Sequence, residues 1–295
     1  MAVAEPYVGQ PLGRGLATRA RLRQFRVAGR RASTVDLLAV GAFAVVVLVA
    51  IVTPAVAPHS PIVPVGIPFM SPGHGGFLLG SDEVGQDILS RVLFGLRSSL
   101  EAAGAVIASG VVIGGLIGLV AGAAGGWIDD VLMRFTDIFL AMPGPVLAIA
   151  VVAALGPSFV HTLIGVSIVW WPFYARIVRA EVRALASRPH IEAARLAGVG
   201  PMRRAWRHLL PGAVPAVLVT ASLDVGNLIV TLASLSFLGL GAPAPAPELG
   251  AMSARGLQYL LQEWWVPVMP ALVVFLVAFL ANLAGDGVRD LMGDR

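Results

Sequence analysis

The sequence predicts an all-α membrane protein of six transmembrane helices, and three observations predict it. Hydrophobic residues make up 57% of the 295 and charged residues 13%, against roughly 45–50% and about 25% in ordinary globular domains. Six stretches reach or approach the ~20 mostly apolar residues that cross a hydrocarbon core: 36–57, 102–126, 136–155, 159–178, 211–239 and 266–284. The arginines fall between alternate stretches, as they do where cytoplasmic loops retain positive charge.

The chain opens with an arginine-rich tail, 1–35, which contains Arg14, Arg19, Arg21, Arg23, Arg26, Arg30 and Arg31. Next to a span, such a segment is suited to anionic lipid. The apolar run that follows ends in Ala55-Val56-Ala57, the A-x-A form of a signal-peptidase site. It is longer than a usual signal-peptide core and Pro58 would follow the cut, so 36–57 reads as an uncleaved first helix. If the N-terminus is cytoplasmic, the tail, the 127–135 turn, the 176–210 segment and the 286–295 tail lie inside. That side then holds 18 of the 21 arginines, leaving Arg91, Arg97 and Arg255 outside.

The outer segments are a 58–101 connection, a 156–158 turn and a 240–265 loop with Pro243, Pro245 and Pro247. Trp264 and Trp265 suit the membrane interface, where an amphipathic ring has one wet edge and one apolar face; substrate contact is the alternative. Asp82, Glu83 and Asp87 lack the dense alternating oxygen ligands of a calcium loop. With Arg91 and Arg97 they are expected on an interfacial amphipathic helix with internal charge pairing, and Asp82, Asp87 and Arg91 are candidates for an external interface. The second stretch opens a five-helix core, 102–285, and carries Gly110, Gly114, Gly118, Gly122 and Gly126 at every fourth position. Glycines on one face let a neighbouring backbone approach closely, so this helix is expected inside the bundle.

The composition excludes several chemistries. The net charge of +4 comes from arginines without the interleaved aromatics of an RNA-binding surface, so nucleic acid is not expected as a partner. Cysteine is absent, and His59, His74, His161, His190 and His208 lack zinc-ligand spacing, so no metal site is expected. There is no G-x-S-x-G elbow and no H-E-x-x-H. A P-loop uses lysine to reach the terminal phosphates, and the chain contains none. Asp224 lies inside the fifth stretch with Asn227 three residues on. A carboxylate in the bilayer core is costly. It is a pathway candidate, with pairing to another subunit or a neutral acid as alternatives.

Segment 187–211 carries the strongest signal. Pro189 suits a first helical turn, where its missing N–H would be unpaired anyway, and Glu192 sits near the positive end of the helix dipole. Gly198 and Gly200 end the helix, and Ala193, Ala194 and Ala197 would let a partner come close. Physics alone leaves two readings, a docking helix or a solvated loop.

Glu192-Ala193-Ala194, three residues, Gly198, nine residues and then His208-Leu209-Leu210-Pro211 resembles the EAA loop of ABC-importer permeases. Leu79-Gly80-Ser81-Asp82-Glu83-Val84-Gly85-Gln86-Asp87-Ile88-Leu89-Ser90-Arg91 resembles the segment before the second span in the C-type permease subunits of dipeptide and oligopeptide importers. Leu235 to Gly241 and Asn282 to Asp290 extend the resemblance, which covers roughly 35–295. Gln86, His190, Gly212 and Leu232 depart from the usual residues. The resemblance implies a type I ABC importer permease fold in a bacterial plasma (inner) membrane, with both termini cytoplasmic. It implies a homologous second permease, two cytoplasmic ATPases holding ATP and Mg, an external substrate-binding protein and no cofactor in this chain. Glu192, Ala193, Ala194, Gly198, His190 and Arg195 would form the ATPase-coupling surface. An ion-gradient-driven transporter using Asp224 is the alternative; it predicts inverted repeats, and no convincing repeat is present.

Overall fold

The computed structural model describes residues 34–293. The arginine tail before Thr34, and Arg295, lie outside the described residues, together with the expectations placed on them. Helices follow in the order α1 (Thr34–Val56), α2 (Ile88–Ala124), α3 (Gly126–Ala141), α4 (Gly144–Leu155), α5 (Phe159–Ala186), α6 (Pro189–Leu196), α7 (Pro201–Arg204), α8 (Leu210–Phe237), α9 (Leu249–Gly256) and α10 (Trp265–Gly293). A π-helical turn, Ala205–Leu209, joins α7 to α8, and a 3-10 turn, Leu257–Tyr259, follows α9.

Two expected boundaries change. The second helix begins at Ile88, not near 102, because Asp87 caps it: the carboxylate accepts from the Leu89 and Ser90 amides at 3.3 and 3.1 Å. Such a cap satisfies donors that the first turn leaves unpaired. The separate amphipathic helix expected within 58–101 is therefore corrected: its helical part is the first turns of α2. The expected 136–155 helix is broken. Met142 is extended before Pro143, as a residue preceding proline tends to be, and α3 and α4 meet there at 85°.

Four described helical stretches are long and apolar enough to cross a membrane: α1, α2, Pro201–Phe237 and Trp265–Met292; the bent α3–α4 pair makes a fifth candidate. The count falls short of six at α5. That helix has 28 residues, but His161, Trp170, Trp171, Pro172 and Arg176 dilute its apolar composition.

Glycine sets the tightest packing. A Cβ on Gly114 would lie 2.2 Å from the Trp171 carbonyl oxygen, and one on Gly118 would lie 2.4 Å from that of Ala175. Gly110 faces the Tyr174 ring and Gly122 faces Val182, so four of the five expected glycines form one seam between α2 and α5. Gly126 instead has φ +55° and open space around its Cβ position; it belongs to the turn into α3.

Three apolar clusters run along the bundle. At one end Ile88, Val92, Leu249, Met252, Trp265 and Val266 pack together. The middle is built around Val106, Val166, Leu228 and Ile229. At the other end, Leu119, Val178, Val182, Leu185, Ile191, Ala205 and Leu209 bind α6 to the ends of α2, α5 and α8.

Candidate coupling and pathway sites

The helix α6 projects from the bundle on a single apolar tether. Pro189 occupies its first turn, and Ile191 is 4% exposed within the cluster at the ends of α5 and α8. His190, Glu192, Ala193, Arg195 and Gly198 are exposed and Ala194 is half-buried. The structure thus brings the expected coupling residues onto one short helix and its cap. Gly198 terminates it at φ +79°. The Val199 amide donates to the Ala194 carbonyl and the Gly198 amide to that of Arg195, both at 3.0 Å. This pair of bonds is the Schellman arrangement, whose left-handed position favours glycine. Leu196, Met202 and Trp206 are 82%, 71% and 50% exposed, so the polar face is flanked by large apolar side chains that sequence reading did not single out. Glu192 and Arg195 stand 3.8 Å apart and both are exposed, a pair of little energetic weight.

Asp224 lies midway along α8 and is half-buried. The Trp170 indole N–H donates to its carboxylate at 3.1 Å, and the buried Tyr174 follows one turn further along α5. Asn227, its expected companion, is exposed one turn on. The two belong to a longer stripe: Thr220, Asp224, Asn227, Thr231 and Ser234 recur at intervals of four, three, four and three residues, and none is fully buried. The three hydroxyls donate to carbonyls four residues back at 2.7–2.9 Å. Beside the stripe, Trp170, Phe173, Pro145 and Thr231 help line a cleft of about 260 Å³. The 4-3-4-3 spacing is legible in the sequence as one face of a helix.

Sequence reading also missed an ion-pair ladder. Asp129 of α3 is 0% exposed and accepts from the Arg179 guanidinium of α5 at 2.5 and 2.7 Å. Arg183 reaches the same carboxylate at 2.6 Å, and Arg176 meets Asp137 at 2.6 Å. The signal was Asp129 and Asp137, eight residues apart on α3, facing arginines of α5 spaced three and four residues apart.

Asp82, Asp87 and Arg91, expected on an interfacial surface, are instead buried, at 6%, 2% and 3% exposure. Asp82 accepts from the Val84 and Gln86 amides and lies 3.4 Å from Arg91. Burial pushes its carboxyl above the usual aspartate range, against the opposing pull of the Gln86 amide, Arg91 and the Val84 amide. Arg91 donates to the carbonyls of Pro61 and Pro245 and to Gln86, whose amide in turn donates to Ile62. These residues tie the 58–87 segment and the proline loop to the start of α2. Their role in the fold is to fasten that end of the bundle.

Residues 114–295 match the family described as binding-protein-dependent transport system inner membrane component. The probable D,D-dipeptide transport system permease protein of Escherichia coli (strain K12) is 41% identical over 213 residues, covering 72% of each chain. The di/tripeptide transport system permease protein of Pseudomonas aeruginosa is 38% identical over 253 residues, covering 84% of each. The glutathione transport system permease protein of Escherichia coli O6:K15:H31 is 44% identical over 213 residues, covering 72% of this chain and 70% of its own. Among solved structures, an inward-facing methionine ABC transporter superposes with a TM-score of 0.55 at 21% identity, over 68% of this chain and 95% of the other. That likeness concerns the fold. With its matching family and its relatives, the chain belongs to the inner-membrane components of binding-protein-dependent transport systems, as an ABC importer permease subunit and not an enzyme.

Proposed function

We propose that this chain is one permease half of an ATP-driven importer of short peptides. It would pair with a homologous permease, dock on one of two cytoplasmic ATPases that hold ATP and Mg, and receive cargo from an external binding protein. Both termini would be cytoplasmic, in the orientation that keeps most arginines inside. The observation that carries this reading is the exposed α6, rooted against the ends of α2, α5 and α8 through Ile191 and its neighbours. A rigid short helix with a buried root transmits displacement to the spans it roots in. His190, Glu192, Ala193, Ala194, Arg195 and Gly198 supply the docking face. The relatives named for D,D-dipeptides, di/tripeptides and glutathione support short peptides as the cargo class.

The test is uptake of a labelled dipeptide into proteoliposomes holding the complete complex and its binding protein. Wild-type uptake requires ATP, and Glu192→Arg lowers both uptake and the recovery of the ATPase on purification. Uptake that proceeds without nucleotide and collapses with an ion gradient would instead favour the secondary-transporter reading.

A further inference from the structure

A carboxylate halfway along an apolar span is expensive to keep facing lipid, and such groups face bundle interiors or wet paths. Asp224 is half-buried, and no ion-pair partner for it occurs among the described residues. The arginines of α5, Arg176, Arg179 and Arg183, are engaged with Asp137 and Asp129 instead. The Trp170 N–H fixes the carboxylate in place without neutralising it.

The surroundings give the site its chemistry. Along α8 the same face carries Thr220, Asn227, Thr231 and Ser234, and each hydroxyl spends its proton on its own helix backbone. What those hydroxyls turn outward is therefore acceptor lone pairs. The Asn227 side-chain amide makes no hydrogen bond among the described residues and is exposed. Across from this stripe stand Trp170 and Phe173, rings that line the adjoining cleft. Acceptors around one negative charge, with aromatic faces beside them, suit a compact ammonium group.

We propose that Asp224 is a pathway subsite for the terminal ammonium of a peptide in transit, with Asn227 and Thr231 as polar contacts and Trp170 as its positioning residue. The inference rests on the peptide-import reading above and adds to it a point of selection within the permease. A subsite of this kind must hold its guest loosely, because passage requires release as well as entry.

The experiment is equilibrium binding of radiolabelled trialanine and N-acetyl-trialanine to the complete permease–ATPase complex in lipid nanodiscs, without the binding protein, in nucleotide-free and ATP-trapped states. Trialanine is expected to bind at least about tenfold more tightly than the acetylated peptide in one state, in keeping with a hydrogen-bonded charge. Asp224→Asn erases that difference, Asp224→Glu retains it, and neither changes recovery of the second permease. Equal binding of the two peptides, absence of trialanine binding in both states, or an unchanged Asp224→Asn variant would overturn the subsite. Loss of the second permease from Asp224→Asn would overturn it too, assigning the carboxylate to subunit pairing. Absence of ATP-driven uptake by the wild-type complex would sink the import reading itself, and that result is read in a separate assay.

Discussion

Gly114 and Gly115 are chain neighbours with opposite tolerances. A methyl group on Gly114 points at the Trp171 carbonyl, a backbone atom that cannot turn aside, whereas one on Gly115 meets nothing within 4 Å. Overpacking of this kind costs about 1–3 kcal/mol. Removing glycine from an open helical position returns roughly 0.5–1 kcal/mol. Gly114→Ala should therefore lower the thermal midpoint of the lipid-embedded complex and Gly115→Ala should leave it level or raise it. Equal midpoints for the two variants would show that the seam tolerates separation. The rule also separates the seam's Gly118 from Gly126, where the backbone's positive φ, and not crowding, disfavours other residues.

At the scale of elements, the ladder between α3 and α5 makes a sharper prediction than its charges suggest. Asp129 is fully buried while Arg179 and Arg183 keep 28% and 50% of their side chains exposed. Removing the arginines strands a charge away from water; removing the aspartate returns two guanidinium groups to solvent. Breaking a buried pair from the wrong side costs about 3–5 kcal/mol, discounted here because the arginines are partly screened. Arg179→Met with Arg183→Met should destabilise the complex, and adding Asp129→Asn should restore most of the loss, as read by denaturant or thermal unfolding. A triple variant no more stable than the double one would remove the stranded charge as the cause. The ladder also illustrates what was legible beforehand. Apolar runs and glycine register placed α1, α8, α10 and the α2 seam because those signals are local. The start of α2 depended on one cap at Asp87, the break between α3 and α4 on Met142-Pro143 within an otherwise apolar run, and the burial of Asp82, Asp87 and Arg91 on carbonyls from 61 and 245. Charges that pair across long sequence separations look like surface until the partner is in place.

On the scale of the whole molecule, these elements divide the bundle into a stiff part and a yielding one. The glycine seam sets α2 and α5 backbone to backbone, and the cluster that buries Ile191 fixes α6 to the end of the same pair and to α8. A push on α6 is thus delivered to a unit that cannot shear internally without prising helices apart. The α3–α4 elbow differs: it bends by 85° at Met142-Pro143, and the cleft beside Gly144 and Pro145 leaves space around it. Hinges absorb backbone change at a few element-terminal residues, so the elbow is where displacement of α5, passed through the Asp129 ladder, should be taken up. Hydrogen exchange on the complete complex in nanodiscs, with and without ATP trapping, checks this division. Amides of 110–122 and 171–182 should stay protected in both states, whereas those of residues 142 and 144, and the first free amides of α4, should change protection on trapping. If protection changes along the seam while the elbow stays constant, motion runs between α2 and α5, and the rigid-unit account is wrong.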